Sequence, residues 1–106
     1  MGEVTANVQP GDLGNTLDAL TRVIKERASA NPEESYTARL LTGELDKLLK
    51  KIGEESTELV MAVKDDHHDH IRYEAADLLY HLLVVMERVG VSPEELAGEL
   101  NARMSK

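Results

Sequence analysis

Four acidic residues form two pairs with the same spacing. Glu55 and Glu58 are three residues apart, and so are Glu74 and Asp77. Three residues is close to one turn of an α-helix, so each pair projects from one face of its helix. Carboxylate oxygens are the ligands that hard divalent cations such as Mg²⁺ prefer. If the two helices face each other, these residue types in this pattern favour a metal site.

A helical wheel drawn at about 100° per residue places the acids beside apolar residues. On the first helix Glu55 lies inside the apolar stripe and Glu58 on its shoulder, whereas Glu54 lies almost opposite and should face water. The second helix repeats this arrangement, with Glu74 inside the stripe and Asp77 on its shoulder. The stripes consist of Leu45, Leu48, Ile52, Leu59 and Val63 on the first helix and of Ile71, Leu78, Leu82, Val85 and Val89 on the second.

The two acid pairs also match in height along the helices. If the connection is centred near His67, Glu58 lies nine residues before it and Glu74 seven after it. Glu55 and Asp77 lie twelve before it and ten after it. Antiparallel helices joined by a short loop bring both pairs to the same level, so we expect the four carboxylates to converge.

Converging carboxylates need a positive partner, because burial and like charges both disfavour ionisation. Mg²⁺ is one such partner. The alternative is neutralisation by nearby cations, and Lys51 and Arg88 lie on suitable faces of the two helices. Lys47 and Lys51 lie on the shoulder that carries the acids, which makes both of them candidates for contacts with substrate phosphates.

Composition narrows the class of protein. The chain has 106 residues, enough for one domain with a modest core, and carries a formal net charge of −8. Such a charge argues against nucleic-acid and anionic-membrane partners. The absence of cysteine excludes a disulfide framework and thiolate-bound zinc, and suits a cytoplasmic location. No apolar run is long enough for a membrane span or a signal peptide.

Periodicity and capping signals predict an all-α fold. We expect a flexible tail over residues 1–14 and one domain over residues 15–106, a bundle of four to five helices around a central antiparallel hairpin. Gly43 should break or kink the chain before the third helix, and Gly53 inside that helix suggests close packing. The expected helices begin near Asn15, Tyr36, Glu44, His70 and Pro93 and end near Ala30, Leu41, Lys64, Val89 and Met104.

Two further polar clusters have an open role. Ser35, Tyr36 and Thr37 place three hydroxyl groups in a row, either for helix capping and solvation or for substrate contact. The loop histidines, His67, His68 and His70, invite a zinc interpretation, but neighbouring residues on a flexible loop rarely form a dedicated site.

Two strings resemble a known enzyme family. Residues 53–58, Gly-Glu-Glu-Ser-Thr-Glu, and residues 73–84, Tyr-Glu-Ala-Ala-Asp-Leu-Leu-Tyr-His-Leu-Leu-Val, resemble phosphoribosyl-ATP pyrophosphohydrolase, which acts in the second step of histidine biosynthesis. The acidic signature alone is shared by the wider MazG-like all-α nucleotide pyrophosphohydrolases. Tyr36-Thr37 and the string around Asp77 narrow the resemblance to the histidine pathway, and it covers about residues 15–104.

The resemblance implies Mg²⁺-dependent cleavage of phosphoribosyl-ATP to phosphoribosyl-AMP and pyrophosphate. It implies that the catalytic and metal-ligating residues are the four acids, Glu55, Glu58, Glu74 and Asp77. More than one Mg²⁺ is expected, because four carboxylates would over-coordinate a single ion that also keeps its waters. Glu54 and His81 are expected to support the ligands, and Lys47, Lys51 and Arg88 are candidates for phosphate contacts.

The resemblance also implies a stand-alone enzyme that forms at least a homodimer, with the active site near the interface. Two alternatives remain. One is a house-cleaning pyrophosphohydrolase that acts on ordinary or damaged nucleoside triphosphates and differs only in its contacts to the nucleotide end. The other is a non-catalytic helical interaction module, whose acids would be salt-bridged and whose stability would not respond to Mg²⁺.

Overall fold

The computed structural model describes residues 4–105, and this part of the chain contains five α-helices and no strand. The long helices α3 and α4 form a central antiparallel hairpin, and α1 and α2 pack against α4. The predicted all-α bundle around a helical hairpin is confirmed. No helix in the described residues is long and apolar enough to cross a membrane. The helices are α1 (Leu13–Arg27), α2 (Tyr36–Thr42), α3 (Leu45–Lys64), α4 (His68–Val89) and α5 (Pro93–Met104).

The first helix begins earlier than its sequence predicts. Asp12, in an extended conformation, is the N-cap, and its carboxylate accepts a hydrogen bond from the backbone N–H of Asn15 at 2.9 Å. Asn15 therefore lies inside the first turn instead of capping it, and the helix ends at Arg27, before the expected Ala30. Of the tail expected over residues 1–14, residues 1–3 lie outside the described residues.

The loop of the hairpin is also shorter than predicted. His67 is the N-cap of α4, and its Nδ1 accepts a hydrogen bond from the backbone N–H of His70 at 3.4 Å. His68 and His70 therefore belong to the first turn of α4, and the connection comprises residues 65–67 alone. A short connection holds the two long helices antiparallel and limits how far one can slide along the other.

Gly43 is the C-cap of α2 and separates this helix from α3. A Cβ added at Gly43 would lie 2.8 Å from the backbone oxygen of Arg39, so a side chain there would require the backbone to move. At the other end of the hairpin, Gly90 takes a left-handed conformation as the C-cap of α4. Ser92 then caps α5 and forms a capping box with Glu95.

The core lies between α4 and the first three helices, and of the predicted apolar stripes Leu48, Ile52 and Val85 contribute to it. Val63 is 53% exposed on α3 and Val89 is 52% exposed on α4, because no described segment covers that side of the hairpin. The close packing expected at Gly53 is wrong as well, since an added Cβ would meet nothing within 4 Å. The buried apolar cluster comprises Ile24, Leu48, Leu83, Val84 and Val85.

Candidate active site

Four carboxylates meet between α3 and α4. Glu55, Glu58 and Glu74 each offer an oxygen, and these oxygens lie within 4.8 Å of one another. In a second group, formed by Glu55, Asp77 and His81, the ligand atoms also lie within 4.8 Å of one another. Because Glu55 belongs to both groups, the structure brings all four acids into one cluster.

Burial divides the acids as the helical wheel predicts. The side chains of Glu55 and Glu74 are buried, with only 4% and 1% of their surface exposed, whereas Glu58 and Asp77 are half-buried at the edge of the cluster. Glu54 is exposed and lines a shallow depression on α3 that Glu58 also lines. Glu54 is therefore solvated, as the wheel predicts, and it does not belong to either group of converging ligand atoms found in the described residues.

Within residues 4–105, three oxygens of the cluster are buried without a hydrogen-bond partner: Oε2 of Glu55, Oε2 of Glu58 and Oε1 of Glu74. Buried polar atoms are normally paired, and leaving one unpaired costs about 1–3 kcal/mol. Three unpaired anionic oxygens among converging carboxylates form a donor set that fits a hard divalent cation such as Mg²⁺. The residues present therefore fit the metal that the sequence resemblance implies.

Protonation equilibria show the same excess of negative charge. Burial raises the pKa of Glu55 to about 7, assisted by a side-chain hydrogen bond to Asp77 and by the charges of Asp77 and Glu58. Burial also raises the pKa of Glu74, with the charge of Glu58 and a hydrogen bond to it as the next causes. Lys51 opposes the shift at Glu55, but its half-exposed ammonium lies 3.8 Å away and leaves the pKa raised. One nearby lysine is therefore too little to neutralise the cluster.

Arg88, the other candidate for neutralising the acids, has a different set of contacts. Its guanidinium donates hydrogen bonds to the backbone oxygens of Leu40 at 2.9 Å and of Gly43 at 2.7 Å. These contacts tie α4 to the carboxyl end of α2, where unpaired helix carbonyls attract a cation. The position of Arg88 therefore supports a structural role, in which it joins α4 to α2, over a contact with substrate phosphates.

His81 connects the acid cluster to α2. Its Nδ1 lies 2.8 Å from the backbone oxygen of Asp77 and 3.4 Å from a carboxylate oxygen of the same residue. Because a carbonyl can only accept, Nδ1 carries a hydrogen, and in the neutral ring Nε2 accepts from the hydroxyl of Tyr36 at 3.0 Å. The ring is 2% exposed, so these contacts hold it beside Asp77.

Each of the three hydroxyl groups at residues 35–37 forms a hydrogen bond within the protein. The sequence alone does not decide between helix capping and substrate contact for these groups. Ser35 caps α2 by accepting from the backbone N–H of Ala38, and Thr37 shares a hydrogen bond with the hydroxyl of Tyr80. The contact of Tyr36 with His81 could not be read from periodicity, because it joins residues of two different helices that are 45 positions apart in the chain. Its only sequence signal is the Tyr-Thr string of the family resemblance.

Comparison with known proteins identifies the family. Residues 17–104 match the family described as phosphoribosyl-ATP pyrophosphohydrolase, and this match spans all four acids. The chain belongs to this family. The membership predicted from the two strings is thereby confirmed.

Individual relatives agree with the family match. The phosphoribosyl-ATP pyrophosphatase of Rhizobium rhizogenes is 46% identical over 93 residues, which cover 88% of this chain and 89% of that protein. The phosphoribosyl-ATP pyrophosphatase of Geobacter metallireducens is 49% identical over 87 residues, or 82% of this chain and 80% of that protein. The chain is also 46% identical over 89 residues to the histidine biosynthesis bifunctional protein HisIE of Thermus thermophilus, where it covers 42% of that protein.

Proposed function

We propose that this protein hydrolyses phosphoribosyl-ATP to phosphoribosyl-AMP and pyrophosphate in a Mg²⁺-dependent reaction, the second step of histidine biosynthesis. The observation that carries this proposal is the family match over residues 17–104, which contains the complete four-acid cluster. Relatives that carry the name phosphoribosyl-ATP pyrophosphatase and share 46–49% identity support it.

The four acids Glu55, Glu58, Glu74 and Asp77 hold the metal in this proposal. Their three unpaired buried oxygens and the raised pKa of Glu55 are the features that support it. The two three-residue groups, which share Glu55, support more than one Mg²⁺ per site. When bound, Mg²⁺ neutralises the triphosphate and polarises its phosphoryl oxygens towards attack.

The other residues of the site bind and orient. One cluster carboxylate accepts a proton from the attacking water, which adds to a phosphorus of the α–β anhydride as the bond to pyrophosphate breaks. His81 keeps Asp77 in place through its Nδ1. Lys51 lies at the exposed edge of the cluster, and Lys47 lies one turn before it, so both can contact phosphates of an arriving substrate.

The test is pyrophosphate release from phosphoribosyl-ATP, with and without Mg²⁺, beside a panel of ordinary nucleoside triphosphates. Glu74→Gln should lower kcat by at least about 100-fold, because it removes one charged ligand from a buried cluster. Glu26→Gln, an exposed residue of α1, is the control and should leave the rate unchanged. Turnover of the panel alone would instead indicate a house-cleaning pyrophosphohydrolase, and no turnover together with no stabilisation by Mg²⁺ would indicate a non-catalytic module.

We also propose that two copies of the chain associate through the uncovered side of the hairpin. The radius of gyration is 14.7 Å, larger than the roughly 13 Å that is typical of a chain of this length. Exposed apolar side chains on one side of α3 and α4 support this interface: Leu45, Leu49, Val60, Val63, Leu82 and Val89.

The interface is tested by light scattering after size-exclusion chromatography. The wild type should elute with the mass of a dimer or a higher oligomer. Val63→Glu should give monomers, because it would introduce a charge into an apolar interface. A wild type that stays monomeric at high concentration would contradict this proposal without affecting the proposed reaction.

A further inference from the structure

A groove with a volume of about 380 Å³ opens between α2 and the start of α3. Its walls are mainly apolar and include Pro32, Leu40 and Leu48, while Arg39 and Lys47 also line it. Small-molecule sites are typically concave and mostly apolar, with a few polar groups that fix the orientation of the ligand. The proposed reaction assigns residues to the triphosphate but leaves the nucleoside end of the substrate without a site.

Arg39 is held in position at this groove. One guanidinium nitrogen, Nη1, donates a hydrogen bond to the backbone oxygen of Pro32 at 2.9 Å, and the guanidinium carbon lies 5.6 Å from the ring centre of Tyr36. Among the ion pairs within residues 4–105, none involves Arg39 or Lys47. Arg39 and Lys47, set against the single carboxylate of Glu44, leave the lining with an excess of positive charge in a chain whose net charge is −8, and this indicates an anionic ligand.

The groove is continuous with the acid cluster. Tyr36 lines the groove, and its hydroxyl group contacts His81, which in turn holds Asp77. Along α3, Lys47, Lys51 and Glu55 follow one another at intervals of four residues, so they share one face of the helix over about 12 Å. Lys51 therefore lies between the groove and the acids, and the cations trace a path along which a polyphosphate can extend.

We infer that this groove binds the nucleoside and phosphoribosyl end of the substrate, with the base against the apolar wall and the phosphate of the second ribose on Arg39 and Lys47. The inference rests on the proposed function and extends it to specificity. An ordinary nucleoside triphosphate has no second ribose phosphate, so Arg39 and Lys47 distinguish phosphoribosyl-ATP from the cellular triphosphates. Glu44, which also lines the groove, accepts hydrogen bonds from ribose hydroxyl groups.

Calorimetric titration in the presence of Mg²⁺ can measure the affinity for each end of the substrate separately. Phosphoribosyl-AMP probes the groove, and pyrophosphate probes the acid cluster alone. Arg39→Gln should weaken the binding of phosphoribosyl-AMP about tenfold, since it removes a charge-assisted contact to phosphate, and should leave pyrophosphate binding within twofold. The KM for phosphoribosyl-ATP should rise by a similar factor while kcat changes little, because the contact is present before and during the reaction.

Two further variants control this experiment. Arg39→Lys keeps the positive charge but lacks the planar set of guanidinium N–H donors, so it should recover part of the affinity for phosphoribosyl-AMP that Arg39→Gln loses. Arg22→Gln removes an equivalent exposed charge from α1 and should bind phosphoribosyl-AMP like the wild type. Thermal unfolding of each variant establishes that it is folded, which is expected because Arg39 is exposed.

The possible failures are distinguishable. If the wild type turns over phosphoribosyl-ATP but Arg39→Gln binds phosphoribosyl-AMP as tightly as the wild type, the inference is overturned and the proposed function stands. Equal weakening of phosphoribosyl-AMP and pyrophosphate would also overturn it, because Arg39 would then act on the whole site. If the wild type neither binds phosphoribosyl-AMP nor hydrolyses phosphoribosyl-ATP, the proposed function and the inference are both overturned.

Discussion

The buried carboxyl group of Glu55 should make the metal-free protein less stable as the pH rises. Its pKa is raised from 4.5 to about 7 in the folded state, so between these values the folded protein keeps a proton that the unfolded chain has released. Stability falls with pH wherever the folded state binds more protons. A shift of about 2.5 units at about 1.4 kcal/mol per unit gives a loss of roughly 3 kcal/mol between pH 4.5 and pH 8.

Glu55→Gln tests this magnitude because it keeps the size of the side chain and removes the charge. Urea unfolding in the presence of a chelator, at a fixed protein concentration, should give equal free energies of unfolding for the variant and the wild type at pH 4.5. At pH 8 the variant should be more stable by about 3 kcal/mol. Glu54→Gln, the exposed neighbour on the same helix, should follow the wild type within about 0.5 kcal/mol at both pH values.

Two outcomes would refute this reasoning. If Glu55→Gln were less stable than the wild type at pH 8, the ionised carboxylate would be stabilised by its surroundings, with Lys51 as its nearest cation. If Glu55→Gln, like Glu54→Gln, had the same free energy of unfolding as the wild type at both pH values, the charge of Glu55 would be solvated in the metal-free protein. Either result would remove the electrostatic argument that the cluster requires a cation.

Two other positions give direct predictions for stability. Arg88→Met should lower the free energy of unfolding by about 3 kcal/mol, because two backbone oxygens lose a charged donor. Urea unfolding measures this loss, and a change below about 0.5 kcal/mol would show that water replaces the guanidinium. Gly53→Ala should stabilise the protein by about 1 kcal/mol in a thermal or urea melt, because the added methyl group meets open space within a helix. A destabilised Gly53→Ala variant would instead place another chain against this face.

The position of the acid cluster was predictable because it depends on local periodicity. Glu55 and Glu74 interrupt apolar stripes, and a helix of 3.6 residues per turn fixes their direction without knowledge of the remaining fold. Their matched height requires only that the connection be short, and the structure makes it shorter than expected. The five helices follow from the same periodicity and from strong signals such as Ser92-Pro93.

Features that depend on how separate helices pack were not predictable. The wheel placed Arg88 on the face of the acids, but its long side chain reaches the backbone of α2, whose position no local pattern fixes. The wheel likewise could not tell which half of each apolar stripe the chain itself covers, so the exposure of Val63 came only from the structure. The start of α4 was misplaced because the ring of His67 caps the helix, a role more often taken by Ser, Thr, Asn or Asp.

We propose that the four carboxylates bind the metal on which hydrolysis depends, and this can be tested directly. Mn²⁺ prefers the same oxygen ligands as Mg²⁺ and has a usable anomalous signal, so crystals can be soaked at a Mn²⁺ concentration that supports pyrophosphate release. We expect anomalous density bound by oxygens of Glu55, Glu58, Glu74 and Asp77. Density only elsewhere, for example at His67 and His70, or no density at that concentration, would contradict it.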